Sequence, residues 1–197
     1  YVLSWMGTPL VNGYLKWRCH NGKEDPARLS ERKGVTTIPR PSKNLIWIHA
    51  VSVGESMISL AIAESILKQY PHVHLLLTTT TRSSAQIIAQ RLPKHAIHQF
   101  GPVDTPQAVH RFLEHWKPDL AIWVESEFWP NLIHATQNRG IPTLLLNGRI
   151  SSKSFSHWTK LKGMISPLLS RFELCAVQSE EQAVFFSSLG ANNISVM

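Results

Sequence analysis

The chain has 197 residues, 43% hydrophobic and 17% charged, enough for one buried core and too apolar for a disordered chain. Its 20 Lys and Arg outnumber 13 Asp and Glu, a formal charge of +7. Two cysteines, Cys19 and Cys175, with no C-x-x-C, exclude a disulfide framework and point to a reducing compartment. The ends, Tyr1 and Val196-Met197, read as cuts in a longer protein.

Residues 1–44 form a basic entry segment, with eight basic and three acidic side chains. It opens on the uncharged stretch Tyr1–Leu15, which carries Trp5, Met6, Leu10, Val11 and Tyr14. That stretch is shorter than the roughly 20 residues of a spanning helix, and Gly7, Pro9 and Gly13 interrupt it. It has neither the charged start nor the cleavage site of a signal peptide. An interfacial, membrane-proximal segment fits it, with Lys16, Arg18 and Lys23 as the cytoplasmic flank.

From Leu45 to the end, short apolar runs alternate with helical patterns. The strands are expected at Leu45–Val51, Val73–Thr80, Ala96–Phe100, Leu120–Val124, Pro142–Leu146 and Phe172–Val177. They are four to eight residues long and rich in Leu, Ile, Val and Thr, as strands buried on both faces are. Helices are expected at Ser56–Tyr70, Ser83–Arg91, Thr105–Trp116, Pro130–Arg139, Lys153–Leu169 and Ser179–Leu189. Thr105-Pro106 reads as a cap followed by proline in the first turn, and Gly140 and Gly190 as helix stops. Six strand–helix units predict an α/β fold, a Rossmann-like parallel sheet with helices on both faces, over residues 45–197.

Charge follows this division. Residues 45–148 carry seven basic and seven acidic side chains, and are neutral. Residues 149–171 carry Arg149, Lys153, Lys160, Lys162 and Arg171 with no acid. In that second basic segment Phe155, Trp158, Leu161, Ile165 and Leu168 form a helical stripe, read as core-facing, with the lysines toward an acidic partner. Two local basic patches suit an anionic surface, phospholipid or nucleic acid. No nucleic-acid recognition motif is visible, and nucleic acid is set aside.

In an open parallel sheet the ligand sits where the loops leave the strands. Four of the seven acids of residues 45–148 fall in those loops: Glu55, Asp104, Glu125 and Glu127. This favours a polar substrate with proton-transfer or charge-stabilising chemistry. Glu55, at a strand-to-helix turn, suits a general base, or else simply a first-turn charge on the helix dipole. Ala50-Val51-Ser52-Val53-Gly54 is one residue away from a serine-nucleophile elbow, but it follows the first strand and lacks a His-Gly oxyanion signature. No G-x-G-x-x-G or Walker loop is present, which excludes both nucleotide-binding fingerprints. His72, His74, His110 and His115 lack ligand spacing, and Glu125-x-Glu127 alone makes a poor cation site, so no metal is expected.

The run Ile46-Trp47-Ile48-His49-Ala50-Val51-Ser52-Val53-Gly54-Glu55, followed by Glu125-Ser126-Glu127-Phe128-Trp129-Pro130-Asn131, closely resembles the 3-deoxy-D-manno-octulosonic acid (Kdo) transferases of lipopolysaccharide synthesis. Pro102-x-Asp104, Arg111-Phe112-Leu113, Asn147-Gly148-Arg149-Ile150-Ser151 and Lys23-Glu24-Asp25-Pro26 fit the same family. The resemblance implies the N-terminal, acceptor-side half of a GT-B glycosyltransferase on the cytoplasmic face of the inner membrane. Such an enzyme moves Kdo from CMP-Kdo to a lipid A precursor with inversion and needs no cofactor. The resemblance makes Glu55 the general base and Glu125 the transition-state stabiliser. Ser52, Gly54, Arg82, Glu127, Trp129, Asn131 and Arg149 become candidates for the acceptor site. Thr80-Thr81-Arg82-Ser83-Ser84 replaces a Thr-Gly turn of one common family form. The donor-binding C-terminal domain is absent from this chain, so the piece alone is expected to be inactive. The alternative is a non-catalytic lipid- or membrane-binding module.

Overall fold

A computed structural model describes residues 8–197; the apolar stretch before Thr8 lies outside the described residues. The entry segment forms helix α1 (Thr8–His20), a 3-10 turn (Pro26–Arg28) and the short α2 (Leu29–Arg32). The expected interruption of α1 does not occur. Pro9 falls in the first turn, where its missing N–H is no loss, and Gly13 costs only about 1 kcal/mol in a helix interior. Among the described residues, no helix is long and apolar enough to cross a membrane.

Strands and helices then alternate: β1 (Leu45–His49), α3 (Val53–Gln69), β2 (His74–Thr79), α4 (Arg82–Arg91), β3 (Ala96–Phe100), α5 (Pro106–Trp116), β4 (Leu120–Val124), α6 (Pro130–Gln137), β5 (Thr143–Gly148). They are followed by α7 (Ser152–Lys160), α8 (Lys162–Leu169), β6 (Leu174–Val177), α9 (Glu180–Leu189) and β7 (Ile194–Val196). The single helix expected over Lys153–Leu169 is two. Leu161 takes φ −107° and ψ 25° between them, and its N–H turns back to Trp158. Pro167 is held within α8; it removes one backbone donor and does not end the helix.

The seven strands form one sheet of order β3-β2-β1-β4-β5-β6-β7, and every neighbouring pair is parallel. Alternate residues feed two cores. Trp47, Leu76, Trp123, Leu145 and Cys175 point into one, with Phe112 and Trp116 of α5, Leu132 of α6 and Phe186 of α9. Ile48, Leu75, Leu77, Ile122 and Val124 point into the other, with Leu60 of α3 and Ile88 of α4. The first core is aromatic: Trp47 lies 4.9 Å from Phe112 and 5.0 Å from Trp123, centroid to centroid. Such pairs add about 0.5–1.5 kcal/mol beyond the area they bury. The indole N–H groups of Trp47 and Trp116 are matched by Thr78 and Gln99, each at 2.8 Å.

The outer edge of β3 is closed by the entry segment. Glu31 of α2 accepts the Phe100 N–H at 2.7 Å, and Arg28 donates to the His98 carbonyl at 3.1 Å. Arg28 also forks onto Glu31 and lies 4.6 Å over the Phe100 ring. An exposed strand edge invites pairing with other chains, and this cluster blocks it. The strand order reverses at the β1–β4 boundary: β2 and β3 lie on one side, β5 to β7 on the other. The crevice at that switch point is where the fold places a ligand.

Candidate active site

Glu55 and Glu125 flank the switch point, one following β1 and the other following β4. Glu55 lies in the first turn of α3, 4% exposed. Its carboxylate reaches back to the Val51 N–H at 2.7 Å and the Ser52 N–H at 3.2 Å, while Ser52 Oγ accepts the Glu55 N–H at 3.3 Å. This is a capping box: two orphan donors of the helix start are satisfied reciprocally. It also fixes the carboxylate, because each oxygen spends one lone pair on the backbone and keeps one. Ser52 is thereby accounted for as a cap. Gly54 is exposed, and a Cβ there would meet nothing nearer than Ser52 Oγ at 3.9 Å, so the fold does not demand glycine beside Glu55.

Glu125 leaves β4 with φ +59°, the left-handed region. For a residue other than glycine that conformation costs about 1–2 kcal/mol, and such strain clusters at functional sites. It is held by the Glu125 N–H to the Leu146 carbonyl at 2.9 Å and by Ser126 Oγ, which donates to the Arg149 carbonyl. Burial raises the Glu125 carboxyl above its ordinary range; the Glu55 charge adds to the rise and Arg149 opposes it. Glu127 is raised as well, first by burial and then by Glu55 and Glu125, against the hydrogen bond from Trp129. Three carboxylates and Arg149 therefore share one electrostatic site. Repulsion among the acids favours a bound positive charge, or one that develops during reaction.

The other candidates are placed differently. Trp129 Nε1 donates to Glu127 at 3.0 Å, and its ring meets His49 edge-on at 5.8 Å. Asn131 is engaged by Asp104, to which its side chain and N–H both donate. Arg82 donates to the Gly22 carbonyl at 2.8 Å, which ties α4 to the entry segment. Among the described residues no cluster of three or more His, Cys, Asp or Glu side chains could hold a metal ion.

Two features escaped the sequence reading. His49, at the end of β1, is fully buried with Nδ1 2.8 Å from Thr78 Oγ1. Burial and then the Arg32 charge push its pKa down to about 3, so it is a neutral wall behind Trp129. The only hint was a polar residue in an apolar strand. Next to it, a cavity of about 460 Å³ opens between α1 and the carboxyl edge, lined by Tyr14, Leu15, Arg18, Arg32, Val103 and Trp129 among others. Its charged wall is Glu24, 1% exposed, between Arg18 at 2.7 Å and Arg32 at 3.5 Å.

Residues 27–197 match the family model described as 3-deoxy-D-manno-octulosonic-acid transferase (kdotransferase). The chain belongs to this family. It is 42% identical over 193 residues to the 3-deoxy-D-manno-octulosonic acid transferase of Rickettsia bellii, covering 98% of this chain and 46% of that protein. A probable mitochondrial 3-deoxy-D-manno-octulosonic acid transferase of Arabidopsis thaliana is also 42% identical, over 96% of this chain and 43% of the relative. The chain thus spans about half the length of these relatives. Among solved structures, MurG of Acinetobacter baumannii matches with a TM-score of 0.50 at 12% identity, over 71% of this chain and 42% of that one. The UDP-GlcNAc 2-epimerase of Neisseria meningitidis matches at 0.51 and 13%, over 78% and 46%. These likenesses support the fold, the Rossmann-like α/β half of the GT-B class.

Proposed function

We propose that this kdotransferase-family chain is the acceptor-side half of an inverting glycosyltransferase that moves Kdo from CMP-Kdo to a lipid A precursor in lipopolysaccharide synthesis. The observation that carries this is the pairing of a backbone-fixed carboxylate, Glu55, with a strained one, Glu125, across the switch point of the sheet. Glu55 takes the proton of the acceptor hydroxyl with its unused lone pairs as that oxygen attacks the anomeric carbon and CMP departs. Sugar transfer develops positive charge at that carbon, and Glu125 opposes it. Trp129, Glu127, Gly54 and Arg149 shape the acceptor side, Arg149 as a cation for acceptor phosphate. The donor is held mainly by the remainder of the full-length protein, so residues 1–197 alone are expected to bind without transferring. The reading places the enzyme on the cytoplasmic face of the inner membrane, where an anionic surface meets its two basic segments.

The test is CMP release from CMP-Kdo by the full-length protein with a lipid A precursor. Glu55→Gln is expected to lower kcat by about 10²–10⁴-fold, whereas Ser52→Ala keeps turnover and loses about 1 kcal/mol of stability. Unchanged turnover in Glu55→Gln would remove its assigned role. A folded wild type with no turnover would leave a lipid-binding module as the better account.

A further inference from the structure

The stripe on the second basic segment does not wholly face the core. Phe155 stacks on Phe185 at 4.2 Å, and Trp158 meets Phe128 edge-on at 5.8 Å. Ile165 and Leu168 are buried. Leu161, however, is 39% exposed and Met164 44% exposed, at the elbow where α7 gives way to α8. Lys160 and Lys162 bracket the elbow, and Lys153 and His157 lie on α7 seven and three residues before Lys160. That spacing puts Lys153, His157 and Lys160 on one helix face, opposite Phe155 and Trp158. All three are exposed, and no residue of α7 is buried. Among the described residues Lys153, Lys160 and Lys162 make none of the ion pairs, and residues 149–171 contain no acid to pair with them.

We infer that the α7–α8 elbow is the part of this chain that lies on an anionic lipid surface, with Leu161 and Met164 entering the acyl boundary and Lys153, Lys160 and Lys162 on the headgroups. Uncommitted lysines around a small apolar tip suit a bilayer interface, where long cationic side chains reach the headgroups while the tip is buried. A stable folded protein partner would instead require a larger apolar area than two side chains supply. At the exposed Tyr14 and Trp17 on α1, two of the three nearby cations are engaged, which leaves Lys16 there against three lysines at the elbow. Arg18 pairs with Glu24 and lies over Tyr14, and Lys23 lies over Trp17. The elbow also bears on the acid loop, because Trp158 packs on Phe128, between Glu127 and Trp129. A lipid substrate arriving along the bilayer would meet α7 immediately beside that loop. This deepens the transferase reading by naming the face that meets the lipid, yet it does not depend on turnover.

Sedimentation of the full-length protein with vesicles of phosphatidylcholine alone, or with phosphatidylglycerol added, tests it without any sugar donor. Wild type is expected to bind the anionic vesicles and to bind far less to the neutral ones. The triple variant Lys153→Gln, Lys160→Gln, Lys162→Gln should lose about a hundredfold in partitioning. Leu161→Ser with Met164→Ser should lose about tenfold or more. Both should unfold at the wild-type temperature, and Trp17→Ala should retain most of the binding. Wild type that ignores anionic vesicles, a triple variant that binds like wild type, or a loss confined to Trp17→Ala would overturn the proposal. So would a Met164 thioether that resists peroxide oxidation in full-length protein without vesicles, since a protein surface would then cover the elbow. A protein that shows the expected vesicle pattern but no Kdo transfer would keep this contact and lose only the reaction.

Discussion

The Glu127 carboxyl sits at the meeting point of three influences. It is half-buried, it receives the Trp129 indole N–H at 3.0 Å, and it feels the charges of Glu55 and Glu125. Burial dominates and raises its pKa, so the folded protein retains a proton that the unfolded chain has already released. The folded state then binds more protons than the unfolded one, and stability falls as pH rises from about 4.3, the ordinary glutamate value, through the raised one. Above that window the penalty stays. Glu127→Gln removes the charge and keeps an acceptor for Trp129. Its melting temperature should therefore exceed that of wild type at pH 7, with the gain shrinking toward pH 4. A difference between the two proteins that does not change over this range would show that the carboxylate is not destabilised in the fold. His49 stays neutral in the fold but takes up a proton in the unfolded chain below about pH 6.5, a slope of opposite sign that cancels between the two proteins because both carry it.

Helix α6 begins without a cap of its own: Trp129 occupies the N-cap position and its side chain makes no capping bond. Asp104, from the loop between β3 and α5, supplies it from across the edge. Its carboxylate accepts the Asn131 N–H at 3.1 Å, the Leu132 N–H at 2.8 Å and the Asn131 side-chain amide at 3.3 Å. Because α6 follows the acid loop directly, this remote cap steadies Glu125 and Glu127 too. Asp104→Ala should cost about 1–3 kcal/mol, read as a lower urea midpoint at unchanged m, and Asp104→Asn should recover part of it. Equal midpoints for wild type and Asp104→Ala would mean that water caps the helix as well. This cap marks the limit of what the sequence could show. The strands were legible because Leu45–His49 or Leu120–Val124, buried on both faces, leave an apolar run with turn residues after it. Their loops were legible for the same reason, and with them Glu55 and Glu125. Asp104 also stood out, but as a loop acid, because its partners Asn131 and Leu132 lie 27 and 28 residues away. The bonds of Asn131 to Asp104 and of Arg82 to the Gly22 carbonyl, across 27 and 60 residues, were hidden in the same way. The break at Leu161 was equally hidden: Leu161 fits the helical stripe, and the packing of Trp158 on Phe128 and the burial of Ile165, on either side of it, are contacts the pattern does not display.

Across the whole molecule, the entry segment and the sheet are joined by a few buried charges. Glu24 is the centre: it holds Arg18 of α1 at 2.7 Å and Arg32 of α2 at 3.5 Å, and Arg32 in turn donates to the Gly101 carbonyl beyond β3. Gly101 lies against the His49 ring, where a Cβ would come within 3.1 Å of it. Arg32 is almost wholly buried, and burial lowers its pKa while Glu24 raises it. Glu24 thus bears the main neutralising charge for a cation that water does not reach. Removing one partner of a buried pair costs about 3–5 kcal/mol, because the other is left uncompensated. If the pair is a latch between two units, Glu24→Ala releases the entry segment first. Hydrogen exchange in residues 13–33 should then rise by at least about tenfold, one factor of ten for each 1.4 kcal/mol lost locally. The amides of β1 and β4 should keep their protection. Arg32→Met together with Glu24→Leu, which removes both charges and keeps apolar bulk, should restore much of the loss. The cavity between α1 and Trp129 would open in the first variant and close again in the second. Faster exchange in β1 and β4 to the same degree as in α1 would instead show that entry segment and sheet unfold as one cooperative unit, with Glu24 part of its core.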